Sequence, residues 1–107
     1  MEISNISDFY KGWFIGNFEP SLHKNKEFEV GIKSFTKGEI EPLHYQKLAH
    51  EITIVISGKV RIANVILTKD QILEIFPFEE ADFECLENAV LVCIKFPSEP
   101  DDKILVQ

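Results

Sequence analysis

The stretch GEIEPLHYQKLAHEITIVISG, residues Gly38–Gly58, decides the fold. Its segment Ile52–Ile56 is β-branched throughout, and such a run is typical of a strand covered on both faces. In an extended strand Glu51 and Thr53 share one face, and the alternate isoleucines share the other. A glutamate in so apolar a segment is costly to bury unless it is paired, solvated or bound to a cation. The pattern predicts a polar cavity beside Glu51, and we expect Glu51 to be the most buried acidic side chain.

Further polar side chains belong with this cavity. His44 and Gln46 are two residues apart, so in an extended segment both point the same way. An imidazole, an amide oxygen and a carboxylate on one cavity could hold a divalent cation. A hydrogen-bonded structural role for His44 and simple lining of the pocket by Gln46 are the alternatives. Thr53 and Asn64 are expected on the cavity face, and His50 at its rim as a ligand contact.

The remainder of the chain consists of short apolar runs separated by turn residues, with no convincing helix. Many short strands at regular spacing indicate a sandwich or barrel, with less than about a tenth of the residues in helix. We expect strands over 28–35, 52–56, 60–67, 71–76, 82–86 and 89–96, with turns at 36–39, 57–59, 68–70 and 87–88.

Composition narrows the class of protein. A chain of 107 residues, 45% of them apolar, is one small domain that can bury a core. The net charge of −7 and a single arginine, Arg61, argue against a nucleic-acid partner, which needs clustered cations. No segment approaches the roughly 18 apolar residues of a membrane span, and the N-terminus lacks the pattern of a signal peptide. We therefore expect a cytoplasmic protein.

The two cysteines, Cys85 and Cys93, are expected to be free. A hairpin turning at Glu87-Asn88 would place them on opposite faces, too far apart to bond. Buried free thiols also suit a reducing compartment.

The spacing of Gly38, His44, Glu51 and Gly58 resembles the first motif of the cupin family, with Gln46 at the position of that motif's second histidine. The resemblance implies an all-β, cupin-type β-barrel, the double-stranded β-helix or jelly roll. It further implies a single domain over 1–107, with an N-terminal arm or capping strands over 1–27 and a barrel core over 28–97.

The resemblance also implies a metal site. Pro77 falls on the proline of the second cupin motif, and Asp82 falls on its histidine. The implied ligands of a divalent Fe, Mn, Ni or Zn ion are then His44, Gln46, Glu51 and Asp82.

Three functions are compatible with these features, and the sequence leaves open whether the protein is an enzyme. The leading hypothesis is a small cupin that binds a divalent metal and a small anionic or sugar-like molecule. A metal-free carbohydrate-binding module is the second. A sugar isomerase or epimerase, with His44 as general base, is the third.

We also expect a homodimer. Only one face of each strand can fill the interior of a small barrel, so the opposite face is left outside. That outer face carries Ile52, Ile54, Ile56, Ala63 and Val65, and it is too apolar to stay in contact with water. The N-terminal arm, with Trp13, Phe14 and Phe18, is the alternative cover.

Overall fold

The computed structural model describes all 107 residues, which are mostly in β-strands. Two 3₁₀ turns, Ile6–Asp8 and Tyr10–Gly12, are its only helical segments, so the all-β prediction is confirmed. No helix is long and apolar enough to cross a membrane. The strands are β1 Trp13–Ile15, β2 Glu29–Phe35, β3 Ile40–Gln46, β4 His50–Ile62, β5 Val65–Thr68, β6 Ile72–Ile75, β7 Ala81–Phe96 and β8 Lys103–Leu105.

The two longest strands, β4 and β7, form the antiparallel pair on which the molecule is built. Their register joins His50 to Phe96 at one end and Ile62 to Phe83 at the other. β7 also pairs with β2 and β3, whereas β4 also pairs with β5 and β6. β1 extends the sheet beyond β2, and β8 extends it beyond β3. All pairings are antiparallel, and the curled sheet encloses the side chains of its inner face.

The turn predicted at Ser57-Gly58-Lys59 is wrong, because β4 continues through it. The pairing with β7 persists on both sides of Gly58, with shifts of register that mark a bend. Gly58 has φ of +84°, and a β-carbon there would collide with the carbonyl of Asn88 on β7. Glycine therefore lets the two strands bend together. The chain reverses at Ala63 and Asn64, between β4 and β5.

The turn predicted at Glu87-Asn88 is also wrong, since both residues lie inside β7. Cys85 and Cys93 therefore share the inner face of one strand. They are eight residues apart, which at roughly 3.3 Å per residue corresponds to about 26 Å along a straight strand. Both are free and buried, so the predicted free thiols are confirmed although the predicted hairpin is not.

The core lies on the inner face of β4, β5 and β7. Val55 and Val60 are completely buried, and they pack with Phe83, Leu91 and other small or branched side chains. Trp13 of β1 packs against this cluster from the side. The N-terminal arm thus covers the interior of the barrel and leaves the outer isoleucines of β4 uncovered.

Candidate ligand site

A cavity of about 230 Å³ opens within the barrel beside the core, and we call it the lysine cavity. Three neighbouring strands build one of its walls. Lys95 of β7 lies between Glu51 of β4 and Glu29 of β2 in the register of the sheet. The polar residues that line the cavity are Lys11, Lys33, Glu41, His44, Glu51, Thr53, Asp82, Lys95 and Lys103, together with Cys93.

Trp13, the single tryptophan of the chain, lines the lysine cavity. Trp13 pairs with Gly31, and a β-carbon at Gly31 would come within 2.7 Å of the indole ring. The missing side chain therefore makes room for the ring. The ammonium groups of Lys33 and Lys95 lie 5.5 and 5.1 Å from the ring centroid, within the range of a cation–π interaction.

Neither of these ammonium groups has a carboxylate oxygen within 4.0 Å. Burial lowers the pKa of Lys33, and the nearby charges of Lys11 and Lys95 act in the same direction, against the carboxylate of Glu41. Burial also raises the pKa of the Glu29 carboxyl, more than Lys95 and the hydrogen bond from Ser98 lower it. Burial therefore makes the charged forms of both Lys33 and Glu29 costly.

The thiol of Cys93 has low reactivity in this environment. Burial raises its pKa to about 12, and the charge of Glu51 adds to the effect. A neutral thiol is a poor nucleophile and a poor metal ligand, so Cys93 contributes bulk to the cavity and no reactivity.

A second cavity, of about 400 Å³, lies at the end of the barrel, and we call it the glutamine cavity. Gln46 lines it, is 5% exposed, and has no hydrogen-bond partner for its Nε2 atom. Ser98 donates a hydrogen bond to Glu29 and accepts one from the backbone of Asn17. Lys95 and Lys103 line both cavities, so the two are neighbours.

Asp102 holds in place the backbone of Leu48 and Ala49 beside the glutamine cavity. Its carboxylate accepts hydrogen bonds of 2.9 Å from the backbone amides of Leu48 and Ala49. Asp102 is 5% exposed, whereas Glu51 is only partly buried. The expectation that Glu51 is the most buried acidic side chain is therefore wrong.

The structure does not bring the four expected metal ligands together. His44 and Glu51 line the lysine cavity, but Gln46 lines the other one. Asp82 borders the lysine cavity, yet its carboxylate pairs with Arg61 at 2.9 and 3.2 Å. These bonds hold the pKa of Asp82 below its usual value.

Strand alternation explains the position of Asp82. The neighbouring Ala81 and Phe83 point inward and are buried, so Asp82 points outward towards Arg61. No group of three or more His, Cys, Asp and Glu side chains is close enough to hold an ion. His44 donates its Nδ1–H to the carbonyl of Pro42, at 2.9 Å, which leaves its Nε2 as the one ring nitrogen that could bind a ligand. These residues do not fit the metal that the resemblance implies.

The three expected pocket residues also separate. Thr53 is buried in the wall of the lysine cavity, as expected. His50 lies on the outer side of the sheet, stacked on Phe96 at 5.1 Å and 3.5 Å from the carboxylate of Glu74. Asn64 is exposed in the turn between β4 and β5, because the chain reverses there and not at Gly58.

Sequence reasoning missed Trp13, Lys33 and Lys95. Glu29, Gly31 and Lys33 alternate with Phe28, Val30 and Ile32, a pattern that normally puts the apolar set inside. Here the polar set faces the cavity. The available signal was a glycine directly opposite an aromatic residue on a neighbouring strand, but that pairing is not visible in one sequence.

Comparison with known proteins identifies the architecture. No family model and no curated protein matches the chain. Among solved structures, a Klebsiella pneumoniae protein with a double-stranded β-helix domain is similar, with a TM-score of 0.70 and 15% identity over 97% of this chain and 90% of that one.

Two further structures agree with this match. An RmlC-like cupin from Shewanella frigidimarina gives a TM-score of 0.62 and 20% identity over 72% of each chain. KdgF from Halomonas sp. gives 0.64 and 15% identity over 72% of this chain and 74% of that one. At such identities the similarity concerns the fold. The motif spacing, the curled antiparallel sheet and these neighbours agree that the chain has the fold of small cupins, the double-stranded β-helix.

Proposed function

We propose that this cupin domain binds a small anionic molecule in the lysine cavity, without a metal ion. The observation that carries the proposal is the pair of ammonium groups, Lys33 and Lys95, that flank the Trp13 ring and lack carboxylate partners within 4.0 Å.

Charge supports an anionic ligand. A partly buried ammonium group without a counterion is destabilised by lost hydration, and an anion would restore the missing interaction. Lys11 and Lys103 add positive charge to the same cavity in a chain whose net charge is −7. Glu41, Glu51 and Asp82 line the cavity too, so its four lysines exceed its three carboxylates by one positive charge, whereas the chain as a whole is acidic.

The size of the cavity limits the ligand. Its 230 Å³ is below the roughly 300–1,000 Å³ of sites for drug-sized molecules. A short mono- or dicarboxylate, or a phosphate with a small organic group, matches that volume. The Trp13 ring supplies an apolar surface for the carbon skeleton of such a ligand.

The glutamine cavity favours a second candidate, a ligand with hydroxyl groups. The Nε2 of Gln46 is a buried donor that a hydroxyl or carbonyl oxygen would satisfy. Because Lys95 borders both cavities, a sugar-like anion could place its charge in one cavity and its hydroxyls in the other.

Fluorescence of Trp13 tests the proposal directly, because this residue is the only tryptophan. Titration with acetate, succinate, inorganic phosphate and glucuronate is expected to change the emission with at least one saturable isotherm. Glucose serves as the neutral analogue of glucuronate, and Mn(II), Ni(II) and Zn(II) test the metal hypothesis. Saturable binding of a metal alone, with no response to any anion, would overturn the proposal.

Matched variants separate the cavity from general charge effects. Lys33→Met and Lys95→Met are each expected to weaken anion binding at least tenfold, because each removes a charge-assisted contact. Lys69→Met, in the exposed turn between β5 and β6, removes the same charge outside the cavity and should bind as the wild type does. Equal losses in all three variants would indicate a nonspecific effect.

Carboxylate variants distinguish the two sides of the sheet. Glu51→Ala changes the cavity wall next to Lys95 and is expected to alter anion affinity while the domain stays folded. Asp82→Asn is expected to leave the affinity unchanged, since that carboxylate faces Arg61. If Asp82→Asn alone abolished binding, the outward position of Asp82 would not describe the protein in solution.

A further inference from the structure

Lys95 and Lys33 have different neighbours on the inner face of the sheet. Lys95 lies between Glu29 and Glu51 in the register, so its row carries charges of both signs. Lys33 lies two rows further along β2, away from these carboxylates. Of the two lysines, Lys95 is therefore the one in an ionic environment.

The row that contains Lys33 is otherwise apolar. Lys33 pairs with Leu91 of β7, and Leu91 pairs with Val55 of β4. Leu91 is 2% exposed, and Val55 is completely buried. Burial is the main reason that the pKa of Lys33 is lowered, and the charges of Lys11 and Lys95 add to the effect. At neutral pH a larger fraction of Lys33 is therefore a neutral amine than of an exposed lysine.

A neutral amine in a cavity for anions can react with one class of ligand. We propose that the Nζ atom of Lys33 forms an imine with the carbonyl carbon of a short oxo acid, whose carboxylate pairs with Lys95. This inference rests on the proposed function, because the carboxylate must first bind in the lysine cavity. Proteins use lysines that are buried, or that lie beside another cation, for this chemistry.

The reaction needs no oxidant and no reductant. The lone pair of the neutral amine attacks the carbonyl carbon and forms a C–N bond, and the carbonyl oxygen becomes a hydroxyl group. The hydroxyl group then leaves as water, and a C=N double bond forms. Counted from the ammonium form of Lys33, two protons leave with the oxygen and the third stays on the iminium nitrogen. The side chain therefore keeps its positive charge.

The lining of the lysine cavity favours the imine over its hydrolysis. Trp13, Phe35 and Leu91 form an apolar part of that lining, which holds less water around a C=N bond than bulk solvent does. The thiol of Cys93 does not compete for the carbonyl carbon, because its pKa of about 12 keeps it neutral.

Reductive trapping tests the proposal. The full chain is incubated with sodium cyanoborohydride and pyruvate, acetoacetate or levulinate, three acids that differ in the spacing between carbonyl and carboxylate. Cyanoborohydride reduces an imine to a stable amine, so each adduct adds the mass of the acid less one oxygen atom, and peptide mapping locates it. With at least one acid, labelling of Lys33 is expected to be at least tenfold faster than that of the exposed Lys69, because only a neutral amine reacts.

One analogue and two variants separate the imine from simple anion binding. Acetone has the carbonyl without the carboxylate and should label Lys33 at least tenfold more slowly than the oxo acid does. Lys95→Met should slow the labelling of Lys33 by the oxo acid to a similar degree, because the carboxylate loses its partner. Lys33→Arg keeps the positive charge but cannot form an imine. This variant should lose the adduct and still respond to lactate in the fluorescence of Trp13.

Equal labelling of Lys33 and Lys69 in the wild type would overturn the proposal, and this comparison does not depend on the folding of a variant. Labelling by acetone as fast as by the acids would also overturn it, because the carboxylate would then play no part. If lactate still changed the emission of Trp13 in either case, the binding of anions would stand and only the imine would fail. A wild type whose emission responds to no acid would overturn the proposed function, and the imine with it.

Discussion

At one end of strands β2, β4 and β7, the inner and outer rows of side chains differ in the opposite sense to most half-buried sheets. One inner row contains Glu29, Lys95 and Glu51, whereas the neighbouring outer row contains Val30, Ile94 and Ile52. In an ordinary domain the apolar row would face the core and the charged row would face water. Here the charges line a cavity and the aliphatic side chains face outward.

Each of these rows carries an energetic cost. A charged inner row is costly, because each ion loses hydration on folding. An exposed apolar row is costly too, because it promotes nonspecific association. A bound anion would offset the first cost, and a partner surface would offset the second.

The largest expected effect comes from placing the same charge on either face of β4. Val55 is completely buried and Ile56 is 45% exposed, although the two residues are adjacent. Val55→Lys should unfold the domain, since a buried unpaired charge removes most of the roughly 5–15 kcal/mol that stabilises a small protein. Ile56→Lys should cost within about 1 kcal/mol.

Urea unfolding followed by circular dichroism measures both variants. Similar midpoints for the two would mean that the faces are not distinguished in solution as the structure has them. Both variants replace a β-branched residue of β4 with lysine, at adjacent positions. Strand propensity therefore cannot explain a large difference between their unfolding midpoints.

A smaller effect is expected at Gly31, where the inner face touches Trp13. Its φ is not in the left-handed region, so alanine is compatible with the backbone, but the new β-carbon would lie 2.7 Å from the indole ring. Gly31→Ala should therefore cost about 1–3 kcal/mol through overpacking. The emission of Trp13 should shift to longer wavelength as the ring moves towards solvent.

A double-mutant cycle isolates this contact. In a Trp13→Leu background the ring is absent, so the penalty of Gly31→Ala should shrink markedly. An equal penalty in both backgrounds would assign the cost to the backbone of β2 rather than to the indole.

The next effect concerns the charge of the inner row and depends on pH. Burial raises the folded-state pKa of Glu29 above 4.5, so protonation favours the folded state. The resulting stability is present below pH 4.5 and is lost as the pH rises through the folded pKa. Glu29→Gln should therefore raise the melting temperature at neutral pH, and the gain should fade on acidification.

Glu27→Gln is the control for this prediction, because Glu27 is exposed two residues earlier in the chain. The amide of Glu29→Gln can still accept the hydrogen bond from Ser98. A lower melting temperature at neutral pH would show that the interaction with Lys95 outweighs the cost of burial.

The fold could be predicted from the sequence because short-range patterns of residue type mark its strands. The alternation along Phe28–Phe35 and the β-branched run Ile52–Ile56 each predict a strand, and the spacing from Gly38 to Gly58 resembles a cupin motif. The structure has both strands, in a curled antiparallel sheet. The strand boundaries were less readable. Gly58 has the chemistry of a turn, but it allows a bend in two paired strands, and only its contact with Asn88 on β7 reveals the difference.

The candidate site could be predicted only in part. Alternation of polar and apolar residues shows that the two faces of a strand differ, but it does not show which face is enclosed. His44, Glu51 and Thr53 were expected at a cavity, and they are among the residues that line the lysine cavity. Asp82 was expected beside them, but a one-residue change of parity turns it towards Arg61. Lys33 was not singled out, since nothing in the local sequence reveals that Trp13 of β1 lies beside it in the lining of a cavity.

The smallest expected effect is chemical and leaves stability unchanged. Cys85 and Cys93 occupy the inner face of β7, 1% and 7% exposed. Burial raises the pKa of both thiols, that of Cys93 to about 12, so at neutral pH neither forms the thiolate that alkylating reagents attack. The native protein should therefore resist iodoacetamide for hours, while the urea-unfolded chain takes up two labels, as counted by intact mass spectrometry. Adding a saturating anion should leave the native result unchanged at Cys85, which lies outside the lysine cavity. Rapid labelling of Cys93 alone would mean that the cavity admits the reagent and that its wall opens in solution. Rapid labelling of both would reverse the assignment of inner and outer faces along the whole of β7.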